Sequence, residues 1–91
     1  MNYKIVQTEL YKKRALKFLK KNPHMMAKYI KSMDMLEINP FHPSLRLHKL
    51  QGQLSDYHSV SIDLSYRMVI EFIIKESQII PIDVGTHDEV Y

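Results

Sequence analysis

Three side chains in the second half of the chain have the types that acid–base cleavage of a phosphodiester needs: His48, Arg67 and His87. RNA is cut when its own 2′-hydroxyl attacks the neighbouring phosphorus, while one group removes the hydroxyl proton and another protonates the departing 5′-oxygen. Imidazole side chains titrate near neutrality and suit both roles, and a guanidinium is a permanently charged, bidentate partner for phosphate. The three residues therefore indicate metal-independent RNA cleavage, provided that the fold brings them together.

Charged neighbours extend this candidate set. His48 is flanked by Arg46 and Lys49, which make its surroundings positive. If residues 45–50 form a strand, alternation puts Arg46 on the same face as His48. Glu71 would share a strand face with Arg67 and could orient its guanidinium. We therefore expect Arg46, Lys49 and Glu71 to help bind the substrate.

Simpler explanations exist for each of these residues. A single histidine is more often structural or merely exposed, and Arg67 with Glu71 could be an ordinary salt bridge on a sheet face. His87-Asp88-Glu89 could indicate a metal site, but adjacent side chains rarely converge on one ion, so we expect neither a metal nor a cofactor. Spacing and composition alone predict only a basic domain that could act on RNA.

The distribution of charge favours a polyanionic partner. Residues 1–50 hold eleven Lys or Arg against three acids, whereas residues 51–91 hold two against seven. A one-sided basic surface attracts nucleic acid because each neutralised phosphate releases counterions. The alternative is that two solvated helices simply happen to be rich in lysine.

The 91 residues suffice for one domain, which we assign to 1–91. No apolar run approaches the roughly 20 residues of a membrane-spanning helix. The first residues have no apolar core of the kind that a signal peptide needs, and there is no cysteine. These features predict a soluble, cytoplasmic protein with no membrane partner.

The first half must supply two helices. Residues 2–7 alternate as a short strand, and Thr8 can cap a helix over residues 8–21. Asn22-Pro23 is a typical restart signal, and the second helix must end near Asn39 because Pro40 disfavours helix in the residue before it. The predicted apolar stripe of the second helix is Met26, Tyr29, Ile30, Met33 and Leu36.

The second half is predicted to form four strands, at about residues 45–50, 57–63, 66–74 and 77–84. Pro81 cannot donate to a ladder, so the last strand should be at an edge or bulged there. Gly85 is expected to end that strand and to leave His87 in a terminal tail. The order β-α-α-β-β-β-β predicts an α+β fold, with a helical hairpin on one face of a largely antiparallel sheet.

Motifs in this half resemble those of the RelE/ParE toxin superfamily, and most of all those of YafQ-type messenger RNA interferases. The matching segments are H-K-L-Q-G at 48–52, Y-R-M-V-I-E-F at 66–72 and D-V-G-T-H-D-E-V-Y at 83–91. They occur in the same order and at nearly the same spacing as in that superfamily. The first half resembles the superfamily only as a helical hairpin.

The resemblance implies a toxin of a type II toxin–antitoxin system, an endoribonuclease that cleaves messenger RNA on the ribosome and is silenced by an antitoxin. It implies proton transfer by His48 and His87, phosphate binding by Arg67, and stacking or orientation by the terminal aromatic Tyr91. Tyr66 matches an aromatic beside the active site. The basic helices would then contact ribosomal RNA.

Two departures leave alternatives open. Ser61 and Ser65 stand where YafQ-like members carry a histidine and an acid, so the identity of the base is not fixed by the resemblance. Asp83 replaces an arginine. One alternative is a ParE-like gyrase poison, which would need no catalytic histidine. The other is a non-catalytic RNA-binding domain derived from a toxin.

Overall fold

A computed structural model describes residues 2–91 of the chain, so that Met1 of the expected domain lies outside the described residues. The strands are β1 (Lys4–Ile5), β2 (His48–Lys49), β3 (His58–Ser61), β4 (Tyr66–Ile73) and β5 (Gln78–Thr86), and the helices are α1 (Glu9–Lys21), α2 (Met26–Ile38) and α3 (His87–Val90). The sheet order is β1-β5-β4-β3-β2. Among the strands of residues 2–91, only β1 and β5 pair in parallel. The predicted α+β class and the largely antiparallel sheet are confirmed.

Helix α1 begins and faces inward as its sequence predicts. The Thr8 hydroxyl accepts a hydrogen bond from the backbone N–H of Tyr11 at 3.1 Å, which caps the first turn. Tyr11, Ala15 and Phe18 recur at helical spacing, and all three are buried. This stripe lies against β5, so α1 covers the part of the sheet that lies next to its central strand β4.

The apolar stripe of α2 agrees with the expected one at Tyr29 and Leu36 but differs from it at Met26 and Ile30. Pro23 starts a 3-10 turn at Pro23–Met25 that leads directly into α2. The buried positions on this segment are Met25, Tyr29, Ser32 and Leu36. Met26 and Ile30 are instead 47% and 50% exposed. A shift of one position turns a side chain by about 100° around a helix, and the 3-10 turn sets that register.

The segment expected to be a strand at 45–50 forms only a short one. Pro43–Leu45 is a 3-10 turn whose Leu45 is buried, and Arg46 follows in the left-handed region at φ 48°. Pairing begins at His48. The chain turns at Arg46 because Leu45 enters the core, so Arg46 does not share a strand face with His48.

Strand β5 has no strand partner on one edge beyond Ile79, because β1 pairs only with Gln78 and Ile79. Pro81 lies in this edge stretch, next to a register shift opposite the Val69–Ile70 step. The predicted edge or bulge is therefore confirmed. Gly85 does not end the strand as expected: β5 continues to Thr86 and leads directly into α3.

The two faces of the sheet have different roles. Val60, Met68 and Ile70 face the helices and belong to the hydrophobic core. Ser59, Ser61 and Arg67 alternate with them and so face the opposite side. No helix within residues 2–91 is long and apolar enough to cross a bilayer.

Candidate active site

A cavity of about 590 Å³ lies where β2, the loop that follows it, and α3 meet. Its lining includes His48, His87 and Tyr91, so that His48 lies beside two residues that follow it by 39 and 43 positions in the chain. The other lining residues are Lys49, Leu50, Gln51, Gln53 and Leu54. Two imidazoles, a phenol and an ammonium group therefore border a space of the size that small-molecule and nucleotide sites usually have.

Strand β2 positions His48 opposite Ser59 of β3. The Nδ1 atom of His48 lies 3.1 Å from the backbone carbonyl oxygen of Arg46. Since a carbonyl only accepts, Nδ1 must carry the proton in this bond, and the neutral ring keeps its lone pair on Nε2. The turn at Arg46 thus gives His48 the tautomer of a general base.

Helix α3 positions His87 as its first residue. Thr86 caps the helix: its hydroxyl accepts from the N–H of Glu89 at 3.3 Å, and the Glu89 carboxylate accepts from the N–H of Thr86 at 2.9 Å. These bonds to Thr86, and the ammonium group of Lys21, hold the pKa of Glu89 below its usual range. The capping box therefore gives His87 a defined backbone position rather than a place in a tail.

Tyr91 links the end of α3 to the sheet. Its ring meets that of His87 edge to face, with centroids 4.4 Å apart and planes at 84°. Its hydroxyl donates a hydrogen bond to the side chain of Ser59, which is fully buried. The Oδ1 of Asp88 lies 3.5 Å from Nδ1 of His87, at the outer limit for such a bond, and that carboxylate is exposed.

Arg67 lies beside this cavity and not in its lining. It pairs with Ser61 on one side and with Gly85 on the other, on the face that carries Ser59. Its Nη1 atom donates to the Ser61 hydroxyl at 3.1 Å. Ser59 and Ser61 are two positions apart on one strand, so the Arg67 and Tyr91 contacts are about 7 Å apart.

The expected contact between Arg67 and Glu71 is not formed. The guanidinium is bound by Ser61 instead. Residues four apart on a strand are about 13 Å apart, which exceeds the reach of an ion pair between these side chains. Within residues 2–91, no three His, Cys, Asp or Glu side chains are grouped to hold a metal ion.

Tyr66 lies on the other face of the sheet, away from the cavity. Its hydroxyl donates to Oδ1 of Asn22 at 2.9 Å, and its ring packs edge to face on Phe18. Strand alternation alone separates it from Arg67. The expectation that Tyr66 borders the site therefore does not hold, and Tyr66 contributes to the contact between α1 and the sheet.

Sequence reasoning missed Ser59, Gln51 and Gln53. A hairpin centred on the turn after Gly52 would have placed Ser59 opposite His48, so its position could have been found from the register. The two glutamines lie between the predicted strands at 45–50 and 57–63, and nothing in their spacing indicates a cavity wall. Ser61 stands where the resemblance implies a histidine, and in the structure it binds Arg67.

Comparison with known proteins gives matches in structure alone. No protein-family model matches the chain, and a search of curated proteins finds no significant match. The structure of YafQ from E. coli is 19% identical, with 98% of each chain covered and a TM-score of 0.79. The E. coli DinJ–YafQ toxin–antitoxin complex is 20% identical, with 100% of this chain and 99% of that chain covered and a TM-score of 0.78.

A more distant match extends the comparison beyond YafQ. The toxin–antitoxin complex RelBE2 from Mycobacterium tuberculosis is 15% identical over 96% of this chain and 100% of that chain, with a TM-score of 0.67. The matches cover nearly the whole chain, including the helical hairpin that motifs alone did not match. The chain therefore has the RelE-like toxin fold that its second-half motifs predicted, with YafQ among its structural neighbours.

Proposed function

We propose that this chain is the toxin of a type II toxin–antitoxin pair and that it cleaves messenger RNA on the ribosome. The observation that carries the proposal is a cavity bordered by His48, His87 and Tyr91, with Arg67 on β4, two strands away from the β2 strand that holds His48. Two imidazoles with a guanidinium nearby are the groups that acid–base cleavage of RNA requires. The RelE-like fold supports the same reading.

In this mechanism His48 is the base. Its Nδ1–H is bound to the Arg46 carbonyl, so the lone pair on Nε2 is free to take the proton of the 2′-hydroxyl. As the O–H bond breaks, the 2′-oxygen forms a bond to phosphorus. Because this tautomer is set by the backbone, no side-chain partner is needed to orient His48, and Ser61 need not replace the missing family histidine.

His87 is the acid. In its protonated form it donates to the 5′-oxygen as the bond between phosphorus and that oxygen breaks. The products are a 2′,3′-cyclic phosphate on the upstream fragment and a 5′-hydroxyl on the downstream fragment. One proton enters at His48 and one leaves from His87, so the two histidines exchange protonation states in each turnover and are reset by solvent.

Arg67 and Tyr91 hold the substrate. The guanidinium of Arg67 uses one N–H on Ser61 and retains further donors for the phosphate, whose charge grows in the transition state. Tyr91 is 39% exposed, so part of its ring is available for a base to stack on. Lys49 borders the same cavity and adds positive charge near the RNA backbone.

The exposed face of α1 binds ribosomal RNA in this proposal. Lys13, Lys17 and Lys20 are exposed along it, around a groove of about 490 Å³. Within residues 2–91 none of these three lysines forms an ion pair, so their charge is available to phosphates. This face is distinct from the cavity, so that docking and cleavage can proceed together.

An antitoxin is the expected protein partner. The DinJ–YafQ complex is a structural neighbour in which a toxin is bound to its antitoxin. A 91-residue domain has a modest core, so binding a partner would also stabilise it. We place the pair in the cytoplasm, where the ribosomes are.

Cleavage of a defined messenger RNA on purified ribosomes tests the proposal. We expect cuts with a 5′-hydroxyl end and a 2′,3′-cyclic phosphate, and a loss of about 100-fold or more in rate for His48→Ala and for His87→Ala. His24→Ala is the matched control, because His24 is exposed on the other side of the sheet, near Tyr66. A His87→Ala variant that cleaved at the wild-type rate would rule out the proposed acid.

Expression of the protein in bacterial cells separates the alternatives. Expression of the wild-type protein should deplete transcripts before any DNA damage is detected. DNA damage with intact transcripts would favour a gyrase poison. A folded protein that binds RNA but causes neither effect would be a non-catalytic binding domain.

A further inference from the structure

We infer that Ser59 is a positioning residue that binds the Tyr91 hydroxyl and thereby holds the His87 imidazole over the cavity. This inference rests on the proposed function, since it assigns Ser59 a role in proton transfer by His87. It begins from one contact: the Tyr91 hydroxyl donates to the Ser59 side chain. Ser59 does not border the cavity itself, so its effect must pass through Tyr91.

The contact fixes only one end of Tyr91. Ser59 is fully buried in β3, between β2 and β4, and its position is set by backbone pairing on both sides. Tyr91 is 39% exposed, so its ring is not enclosed by the core. The hydroxyl bond to Ser59 is therefore the anchor that fixes the direction of the Tyr91 ring.

His87 depends on that ring. Its side chain is 67% exposed, and its ring packs edge to face on Tyr91. A side chain this exposed would otherwise sample several rotamers, and the loss of a productive orientation lowers the rate of proton transfer. A fixed Tyr91 therefore limits His87 to positions that face the cavity.

Ser59 is also the register partner of His48. Residues directly opposite in antiparallel strands have Cα atoms about 4.5–5.5 Å apart. The backbone of Ser59 thus lies beside the proposed base, and its side chain holds the element that carries the proposed acid. One buried residue sets the separation of the two proton-transfer groups, which is what a concerted transfer at one phosphate requires.

A purely structural role makes a different prediction. If Ser59 only satisfied a buried hydroxyl, its loss would lower stability and leave the chemistry of the folded protein unchanged. If it positions His87, removal of either hydroxyl lowers kcat in the folded protein. It also changes the NMR shifts of the His87 ring protons, which lie in the ring-current field of Tyr91.

The test compares Ser59→Ala, Tyr91→Phe and the double variant, with Ser59→Thr as the conservative replacement and Ser65→Ala, an exposed turn residue, as control. We expect each single variant to lower kcat about 10-fold with little change in KM, and the double variant to be no worse than either single one. Ser59→Thr should recover much of the activity. The His87 shifts should move in both single variants.

Two readouts keep the outcomes distinct. If the wild-type protein cleaves no messenger RNA, the proposed function fails, and the His87 shifts still decide whether Ser59 orients that ring. If cleavage occurs but Ser59→Ala and Tyr91→Phe keep the wild-type kcat and the His87 shifts, the inference is overturned. If Ser59→Ala does not fold, Tyr91→Phe alone decides, because it removes the same bond from the exposed partner.

Discussion

Gly85 of β5 lies so close to Glu89 of α3 that a Cβ atom at the glycine would be 3.1 Å from the Oε1 atom and 3.2 Å from the Cβ atom of Glu89. Both distances are shorter than ordinary van der Waals contact. Glu89 cannot simply move aside, because its carboxylate closes the capping box with Thr86 and lies 3.4 Å from Nζ of Lys21. The absence of a side chain at position 85 is therefore what lets α3 lie on the sheet.

Gly85→Ala should displace α3 and move His87 away from His48. We expect RNA cleavage to fall by up to about 10-fold, because α3 must shift by a few tenths of an ångström to accept the methyl group and this shift misplaces a reacting group. Thermal unfolding and activity are measured together, and the Glu89→Gly and double variants complete a cycle, because glycine at position 89 removes both the carboxylate and the Cβ atom that the new methyl group would meet. If the clash is the cause, the double variant is no less active than Glu89→Gly alone; a full additive loss would contradict this account.

The general fold could be predicted from the sequence because its signals are local. Thr8 before an apolar helical stripe, Asn22-Pro23 and the position of Pro81 each favour one backbone geometry. Each of these features appears where it was expected. The register of α2 could not be predicted, because two apolar stripes overlap in this segment, one that contains Met25 and one that contains Met26. Tertiary contacts determine that the stripe with Met25 enters the core.

The candidate site was only partly predictable, because its geometry depends on contacts between distant segments. Strand alternation separated Tyr66 from Arg67, and sequence alone could have shown this. The left-handed turn at Arg46 could not be found in the same way, since it follows from burial of Leu45. The position of Tyr91 against Ser59 depends on α3, a single helical turn in a segment that the sequence predicts to be a tail.

The paired hydroxyls of Tyr11 and Tyr29 make a prediction about stability. Tyr11 belongs to α1 and Tyr29 to α2, and their hydroxyl oxygens are 2.7 Å apart. Burial raises the pKa of both phenols. Tyr29→Phe leaves the fully buried hydroxyl of Tyr11 without this partner and should lower the free energy of unfolding by about 1–3 kcal/mol. Urea unfolding of both single variants and of the double variant measures the coupling.

In the Tyr11→Phe/Tyr29→Phe double variant neither hydroxyl remains to be desolvated. It should therefore be more stable than the sum of the two single losses implies. Strict additivity would mean that the two hydroxyls do not depend on each other.

The environment of His58 should make the free energy of unfolding depend on pH. Burial, and then the charges of Lys49 and His48, lower the pKa of its imidazole below the ordinary value, and its Nδ1 is buried without a hydrogen-bond partner. The unfolded chain therefore takes up this proton before the folded one does. The stability that neutral His58 contributes is complete above its unfolded pKa and is lost as the pH falls through the folded pKa.

We expect His58→Phe to reduce this loss when the pH is lowered from about 7.5 to about 5.5. The replacement ring can keep the edge-to-face contact with Phe72, and removal of an unsatisfied buried nitrogen should add roughly 1 kcal/mol at neutral pH. Chemical unfolding at several pH values measures the free energy of unfolding of each variant, with His24→Phe as the control. Equal pH dependence in the wild type and His58→Phe would show that other groups are responsible.

The salt dependence of ribosome binding tests the role of the exposed lysines on α1. Each lysine that neutralises a phosphate contributes roughly 0.7–0.9 to the slope of log K against log salt concentration. Lys17 is exposed at the centre of the basic face and lines its groove, so Lys17→Gln should lower the slope by about that amount. Lys75→Gln removes the same charge from an exposed turn in the acidic half of the chain and should leave the slope unchanged.

Because α1 is separate from the cavity, Lys17→Gln should weaken binding while the cleavage rate at saturating ribosomes stays the same. If both variants lower the slope equally, the whole charge of the protein governs ribosome binding and α1 has no special role in it.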